Sequence, residues 1–370
     1  MVSASAPPLL DDEDVRRQVD GLLRAHLDRL EADLAETGNE AAPLVEGLRT
    51  MLGGGKRLRA AFAYWSWRAH GGVTGSPEEL CALRVGAALE LFQAAALFHD
   101  DVMDDSDTRR GRPTAHRAFA ARHALLHLAG DGDRYGMSAA ILLGDLALVA
   151  CDAELSEAVE PLPTADAATV RSFFSRMTSG VTVGQYLDLA AQVEPWGDDP
   201  AVIERRAWQV LRAKSARYSV EQPLLLGAAV AGADAAALDR CAAIGLPLGE
   251  AFQLRDDLLG VFGDPTVTGK PAGDDLREGK RTVLVARALA SGDEATRRML
   301  TEHLGDARMD ASRTSQLADA IAASGAPAEV EALIDELSRR AFGLIESSGW
   351  REPARAHLVE LARQAVDRRR

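Results

Sequence analysis

The stretch that most constrains the fold is a long apolar run that ends abruptly in charge. Residues 80–98 are apolar on nearly every side of a helical projection, and they lead into Asp100-Asp101-Val102-Met103-Asp104-Asp105-Ser106-Asp107. A helix that is apolar all round must be buried among other helices or in a bilayer. Arg84, Glu90 and Gln93 interrupt this one, which argues against a membrane span. Its start is marked by Ser76 as N-cap, Pro77 at the first helical position and Glu79 completing a capping box. Five carboxylates within eight residues are unusual at the end of a buried helix. At helical spacing Asp100 shares a face with Asp104, and Asp101 with Asp105, so the charges repel unless a cation sits among them. An all-oxygen set favours Mg²⁺, which keeps several waters and bridges to phosphates.

A second acidic pair lies far downstream in Phe252-Gln253-Leu254-Arg255-Asp256-Asp257-Leu258-Leu259-Gly260. It also follows an apolar run, residues 241–252, and closes at Gly263-Asp264-Pro265. A solvated acidic helix end would explain either pair alone. Two such pairs, each after an apolar helix and each flanked by basic residues, point to helix ends facing across a bundle. Between them they would hold several Mg²⁺ and a diphosphate.

Alanine and leucine dominate the chain and β-branched alternation is nearly absent, so the fold is expected to be all-α. With 370 residues, 47% of them hydrophobic, a large core is possible. No repeat or shift of composition divides the chain, so residues 1–370 are read as a single domain of roughly ten or more helices around a central apolar cavity. Helices are expected over 11–36, 41–50, 137–159, 165–190, 202–211 and 215–231, with four or so amphipathic helices after residue 282. Residues 118–135 are read as an irregular insertion, with Gly130-Asp131-Gly132-Asp133 as a surface loop, and residues 1–10 as flexible.

A formal charge of -14 argues against general nucleic-acid binding. Cys81, Cys151 and Cys241 have no ligand spacing and are expected to be reduced core residues of a cytoplasmic protein. Residues 1–10 carry neither a basic start nor an export-length apolar run, and no membrane span is expected.

Gly53-Gly54-Gly55 lets the backbone approach an anion, and Lys56 and Arg59 open the helix that follows, where phosphate is already favoured. The spacing is not that of a phosphate-loop NTPase. Arg109-Arg110, directly after the acidic run, could pair with those carboxylates or grip a diphosphate bridged by Mg²⁺.

Taken together, the first aspartate motif with its Arg-Arg, the Phe-Gln-x-x-Asp-Asp run, Thr268-Gly269-Lys270 and Asp275-Leu276-Arg277-Glu278-Gly279-Lys280 closely resemble the trans-isoprenyl diphosphate synthases, or polyprenyl synthetases. The resemblance runs in consistent order from about Gly53 to Lys280. It implies a homodimer and three Mg²⁺ per site. Asp100, Asp104 and Asp256 would be metal ligands, with Asp101 and Asp257 in support. Arg109, Lys214 and Lys270 would grip the allylic diphosphate, and Lys56, Arg59, Gln93 and Arg110 the isopentenyl diphosphate. Gln185, Asp188, Ser215 and Gln253 would line the space where cationic charge develops, and Asp275 and Lys280 would belong to a closing loop.

The chain departs from the family pattern at Gly260, where a third aspartate is usual, and at Ser215, where threonine is more usual. The metal site is therefore expected to be weakened or re-tuned, not lost. Arg368-Arg369-Arg370 is similar to the basic tail that covers the isopentenyl site in some relatives, or else places cations at a helix end.

Ala96 and Ala95 lie four and five residues before Asp100, about 6–7 Å back along the helix. Both are too small to stop a growing apolar tail. Phe92 is the first bulky candidate for a floor, with Ala87 and Ala88 below it. The expected product is longer than farnesyl, with geranylgeranyl diphosphate (C20) favoured over farnesyl or longer chains. A class I terpene cyclase would lack the second Asp-Asp and the isopentenyl cations. A non-catalytic partner subunit would lack one aspartate motif, and a metal-buffering protein would not need the ordered basic residues.

Overall fold

The computed structural model describes residues 11–264, 272–306 and 308–367. Four helices open the chain: α1 (Val15–Leu34), α2 (Ala42–Leu52), α3 (Leu58–Ala69) and α4 (Pro77–Met103). A two-residue-strand hairpin, Thr108–Arg109 with Arg112–Pro113, separates them from α5 (Ala115–Leu125), α6 (Gly132–Val159) and α7 (Thr164–Val193). Next come α8 (Pro200–Val210), a π-helical segment (Leu211–Glu221), α9 (Gln222–Val230) and α10 (Ala235–Phe262). The short α11 (Asp274–Glu278) precedes α12 (Val283–Ser291), α13 (Glu294–His303), α14 (Ala311–Ala323), α15 (Ala326–Glu346) and α16 (Ala354–Val366).

The fold class is all-α, as expected, and α4 is its buried axis. Its apolar residues from Cys81 to Phe98 pack into a core that also takes Phe62, Tyr64, Trp65 and Trp67 of α3. Both α4 and α6 are long and apolar enough to cross a membrane. In α4, however, 72% of the apolar window is buried inside the protein, so tertiary packing accounts for its composition. In α6 only 44% is buried, and Ile141, Leu142 and Val149 lie exposed along it. The three cysteines are buried and unbridged.

Several local expectations are corrected. Residues 118–135 are not an irregular insertion, because α5 and the first turn of α6 occupy most of them. The buried face of α5 is His116, Phe119 and His123, a helical spacing hidden from a hydrophobicity reading by two histidines. Asp131 is a cap, accepting from the N–H groups of Asp133 (3.0 Å) and Arg134 (3.2 Å). The capping box at α4 does not form. Glu79 instead accepts from the N–H of Gly75 (2.7 Å) and the Tyr64 hydroxyl (2.8 Å), tying the helix start to α3.

The expected junction between helices at 211 and 215 is also absent. The chain stays helical from Pro200 to Val230 through π-helical turns. Such wide turns accommodate Pro223, whose ring would clash with the carbonyl four residues earlier in a regular α-helix. After residue 282 there are five helices among the described residues. Residues 1–10 and Arg368-Arg369-Arg370 lie outside the described residues.

The π-helical segment reaches its neighbours through glycines. A Cβ on Gly184 of α7 would stand 2.4 Å from the Lys214 nitrogen. One on Gly249 of α10 would stand 2.1 Å from the Ala216 carbonyl oxygen, and one on Gly245 would stand 2.5 Å from the Glu221 Cα. Two helices therefore approach the segment backbone to backbone, and Lys214 and Ser215 are brought within reach of side chains on both.

Candidate active site

A cavity of about 1270 Å³ lies between the C-terminal ends of α4 and α10, α7 and the π-helical segment. The end of α4 supplies its first acidic group. Asp100 stands 3.0 Å from the Lys214 ammonium and 3.7 Å from the Arg109 guanidinium. Burial alone would raise its carboxyl, but Lys214, Lys280 and Arg109 hold it well below the usual carboxylate range. Asp101 is almost fully buried and accepts from Arg109 through Nε (2.7 Å), with Nη2 at 2.6 Å.

Asp104 is the most deprived of the group. Its side chain is 1% exposed, neither oxygen accepts a hydrogen bond, and the Lys280 ammonium stands at 3.0 Å. Burial pushes its carboxyl up to about 6, against the pull of Lys280. Asp105 and Asp107 turn away and pair with Arg117 of α5 at 3.0 and 2.8 Å.

The hairpin after α4 sends two adjacent arginines to different places. Arg110 (φ 52) and Gly111 (φ 71) form its two-residue turn, a geometry in which both central residues take the left-handed region. Arg109 folds back onto Asp101. Arg110 instead enters the cavity beside Gly55, whose built Cβ would lie 3.6 Å from its Nη1. Burial and the neighbouring Arg109, Arg57 and Arg59 push the Arg110 guanidinium below its ordinary value. Arg59 lies 4.2 Å over the Tyr218 ring, donates to Ser219 (3.1 Å), and keeps a buried Nε without a partner. With Lys56 and Gln93 these residues line one end of the cavity, and the accumulation of cations calls for an anion.

The other acidic end comes from α10. Asp256, Asp257 and Gly260 line the cavity. Asp257 is buried and accepts from Gln253 Nε2 at 2.8 Å, and Gln253 in turn accepts a short hydrogen bond from the Ser215 hydroxyl. Burial raises the Asp257 carboxyl well above its usual range, and Asp275 and Asp256 reinforce the rise. Lys214 also donates to Asp188 (2.6 Å), one helical turn past Gly184 on α7. Lys280 links the two acidic ends, with Asp104 at 3.0 Å and Asp275 at 3.6 Å.

Of the residues singled out in the sequence, Lys56, Arg59, Phe92, Gln93, Ala95, Ala96, Asp100, Arg109, Arg110, Gln185, Asp188, Lys214, Ser215, Gln253, Asp256, Asp257, Asp275 and Lys280 all line this one cavity. Asp101 and Asp104 stand behind the lining, reached through Arg109 and Lys280. Lys270 lies outside the described residues. Asp275 belongs not to a loop but to the short α11.

The sequence reading passed over several neighbours. Arg57 is held in the left-handed region (φ 51) by Asp20 (2.8 Å) and Glu90 (3.1 Å), and so fixes the glycine turn. Glu278 accepts from Ser106 (2.8 Å) and pairs with Lys280, tying α11 to the chain after the first motif. Arg363 and Gln364 of α16 close the cavity from the C-terminal side. Arg57 lies between Lys56 and Arg59, and Glu278 inside the Asp275–Lys280 run. Arg363 carried no local signal, because only tertiary packing brings α16 there.

The residues fit a divalent cation of the magnesium kind. Oδ1 of Asp100 and both oxygens of Asp104 are buried without a well-aligned hydrogen bond; a lysine ammonium 3.0 Å from each carboxylate balances its charge and leaves lone pairs open to a divalent cation. Among the described residues no three acidic, histidine or cysteine side chains converge on one point. That excludes a dedicated all-protein cage and suits an ion held by one or two carboxylates, water and substrate phosphates.

Comparison with known proteins agrees with this geometry. Residues 43–321 match the polyprenyl synthetase family. A geranylgeranyl diphosphate synthase of Mycobacterium tuberculosis is 32% identical over 295 residues, spanning 79% of this chain and 75% of that protein. A geranylfarnesyl diphosphate synthase of Aeropyrum pernix is 32% identical over 259 residues, spanning 70% and 73%. The crystal structure of a geranylgeranyl pyrophosphate synthase of Corynebacterium glutamicum, complexed with isoprenyl diphosphate and magnesium, superposes with a TM-score of 0.90. It is 36% identical and covers 97% of this chain and 100% of that one. The chain therefore belongs to the polyprenyl synthetase family and is a prenyltransferase.

Proposed function

We propose that this chain condenses isopentenyl diphosphate head-to-tail with an allylic diphosphate and stops at geranylgeranyl diphosphate (C20). The observation that carries the reading is a single cavity lined both by two acidic helix ends and by a further set of cations, Lys56, Arg59 and Arg110, gathered from the glycine turn, α3 and the hairpin. One diphosphate belongs at the acidic ends and another at Lys56, Arg59 and Arg110. A terpene cyclase has no use for the second set.

Asp100 and Asp104 from α4 and Asp256 from α10 would hold Mg²⁺, three ions in all, which would neutralise charge on the departing pyrophosphate. Lys214 and Arg109 are already placed beside Asp100, and they are positioned to follow the negative charge as the allylic C–O bond breaks. Lys270 is assigned the same task. The bonding pair leaves with the pyrophosphate and an allylic cation remains. Gln185, Asp188, Ser215 and Gln253 line the cavity where that cation would develop. Arg59, Arg110, Lys56 and Gln93 orient the isopentenyl double bond, which attacks the allylic carbon. The proton lost from the new tertiary cation passes to the pyrophosphate.

Chain length follows from the α4 wall. Ala95 and Ala96 line the cavity below Asp100, and Phe92 stands deeper. Phe92 cannot swing aside freely, because it packs edge-on against Tyr218 (5.4 Å) and Phe174 (6.4 Å). An apolar tail would pass the two alanines and meet this aromatic floor. The test is a product assay with Mg²⁺, isopentenyl diphosphate and dimethylallyl, geranyl or farnesyl diphosphate in turn, sized by mass spectrometry. A C20 product is expected from the wild type, and Phe92→Ala should shift it to longer chains. An unchanged distribution would remove Phe92 as the floor. Hydrocarbon or alcohol formed without isopentenyl consumption would overturn the reaction itself.

The exposed apolar residues of α6, Ile141 (45%), Leu142 (57%) and Val149 (66%), support a homodimer packed through this helix. Light scattering should give twice the chain mass for the wild type. Leu142→Glu combined with Val149→Glu should shift it towards the monomer, and a monomeric wild type would exclude the dimer.

A further inference from the structure

The acidic end of α10 has a gap in it, and another element fills the gap. Gly260 lies one helical turn past Asp256 on the same face. A Cβ built on Gly260 would stand 1.9 Å from Oδ2 of Asp275 and 2.5 Å from its Cγ. The Asp275 carboxylate thus occupies the volume that any side chain at 260 would need. It reaches that place because α11 begins after Gly273 in the left-handed region (φ 70) and is closed by the Lys280 N–H donating to the Asp275 carbonyl (3.0 Å).

We infer that Asp275 completes the second metal-binding end as its third carboxylate, supplied from α11 and admitted by the missing side chain at Gly260. The inference rests on the prenyltransferase reading of this cavity. Asp274 lines the cavity too, but it pairs with Arg277 at 3.2 Å, and it is the Asp275 carboxylate that fills the space at Gly260. Asp275 lines the cavity with Asp256 and Asp257. Its Oδ1 is 3.6 Å from the Lys280 ammonium, which also stands 3.0 Å from the hydrogen-bond-deprived Asp104. The carboxylate therefore faces the α4 acidic end, across the place where the bridging cations belong. Asp275 thus adds an oxygen donor beside Asp256 and Asp257 that would reach an ion together with water and substrate phosphate, since the three carboxylates do not themselves converge on one point.

Two consequences follow. First, the number of carboxylates at this end depends on where α11 sits, so α11 placement and metal affinity are coupled. Second, position 260 and position 275 are alternatives, because both side chains compete for one volume. Asp275→Ala removes the carboxylate and opens the space. Gly260→Asp in that background puts a carboxylate back from the helix side.

The test is calorimetric titration of Mg²⁺ into the full chain saturated with an unreactive thio-analogue of an allylic diphosphate. Thermal melting is recorded for every variant. Asp275→Ala is expected to weaken Mg²⁺ binding about 10–100-fold, the usual cost of losing a carboxylate around a metal site. Asp275→Asn, which keeps the shape, should lose a similar factor and guards against a folding defect. The double variant Gly260→Asp/Asp275→Ala should recover binding to within a few-fold of the wild type. Wild-type affinity in both single variants at 275, or no recovery in a double variant that melts normally, would overturn the inference while leaving the reaction intact. A wild type that binds no Mg²⁺ with the analogue would overturn the inference and the proposed function together.

Discussion

Asp100→Asn is expected to lower kcat by about 10²–10³-fold with little change in melting temperature. Asp100 stands where the Lys214 ammonium, the Arg109 guanidinium and the cavity meet, at 3.0 and 3.7 Å from the two cations. Those cations, together with Lys280, keep it ionised despite burial, so it is charged and ready for a metal at any ordinary pH. Asparagine keeps the shape and removes the charge. The fold should tolerate this, because Lys214 keeps Asp188 at 2.6 Å and Arg109 keeps Asp101 at 2.6 Å. The loss should therefore appear in turnover, measured as kcat and KM for the allylic substrate at saturating isopentenyl diphosphate. If kcat stayed within a few-fold of the wild type, Asp100 would not be a ligand and the α4 end would have to act through Asp104 alone.

Gly184→Val should harm both stability and chemistry, through a position that carries no functional group. A Cβ at 184 would stand 2.4 Å from the Lys214 nitrogen, and the obstacle is backbone that cannot rotate away. Overpacking of this kind costs about 1–3 kcal/mol, and more when backbones must separate. The displacement acts on α7 and the π-helical segment at the turn that joins Asp188 to Lys214. A lower melting temperature with a fall in kcat would show that the close approach sets the catalytic geometry. A variant that melts and turns over like the wild type would show that α7 can slide without disturbing Lys214.

Much of the site was readable because its residues come in short runs at helical spacing. Asp100 and Asp104 share a face of one helix, and the Asp256-Asp257 pair closes another, so both acidic ends could be located without coordinates. The glycine turn before Lys56 and Arg59, and the order of motifs along the chain, supplied the rest of the cavity lining. Where the reading failed, the signal was either disguised or non-local. The buried face of α5 is carried by His116 and His123, residues that a polarity scale counts as exposed. The capping box at Glu79 looked complete in sequence, but Tyr64 from another helix and the Gly75 N–H claim that carboxylate. The π-helical turns leave no mark in composition, and the close approaches made to them are by glycines of α7 and α10 that lie elsewhere in the chain.

Gly260 shows the division most clearly. From sequence it is a missing aspartate, and the expectation was a weakened or re-tuned site. In three dimensions the same glycine is the opening through which Asp275 enters. The sequence by itself determined the helical class, the buried α4 axis and the identity of the charged helix ends, because periodicity and local charge are properties of adjacent residues. Only the tertiary structure decided how the cations are shared: Arg109 turns to Asp101, Arg110 to the glycine turn, Lys214 to Asp188 and Lys280 to Asp104. Those pairings depend on backbone approach between elements distant in the chain, and no local pattern of residues encodes such a distance.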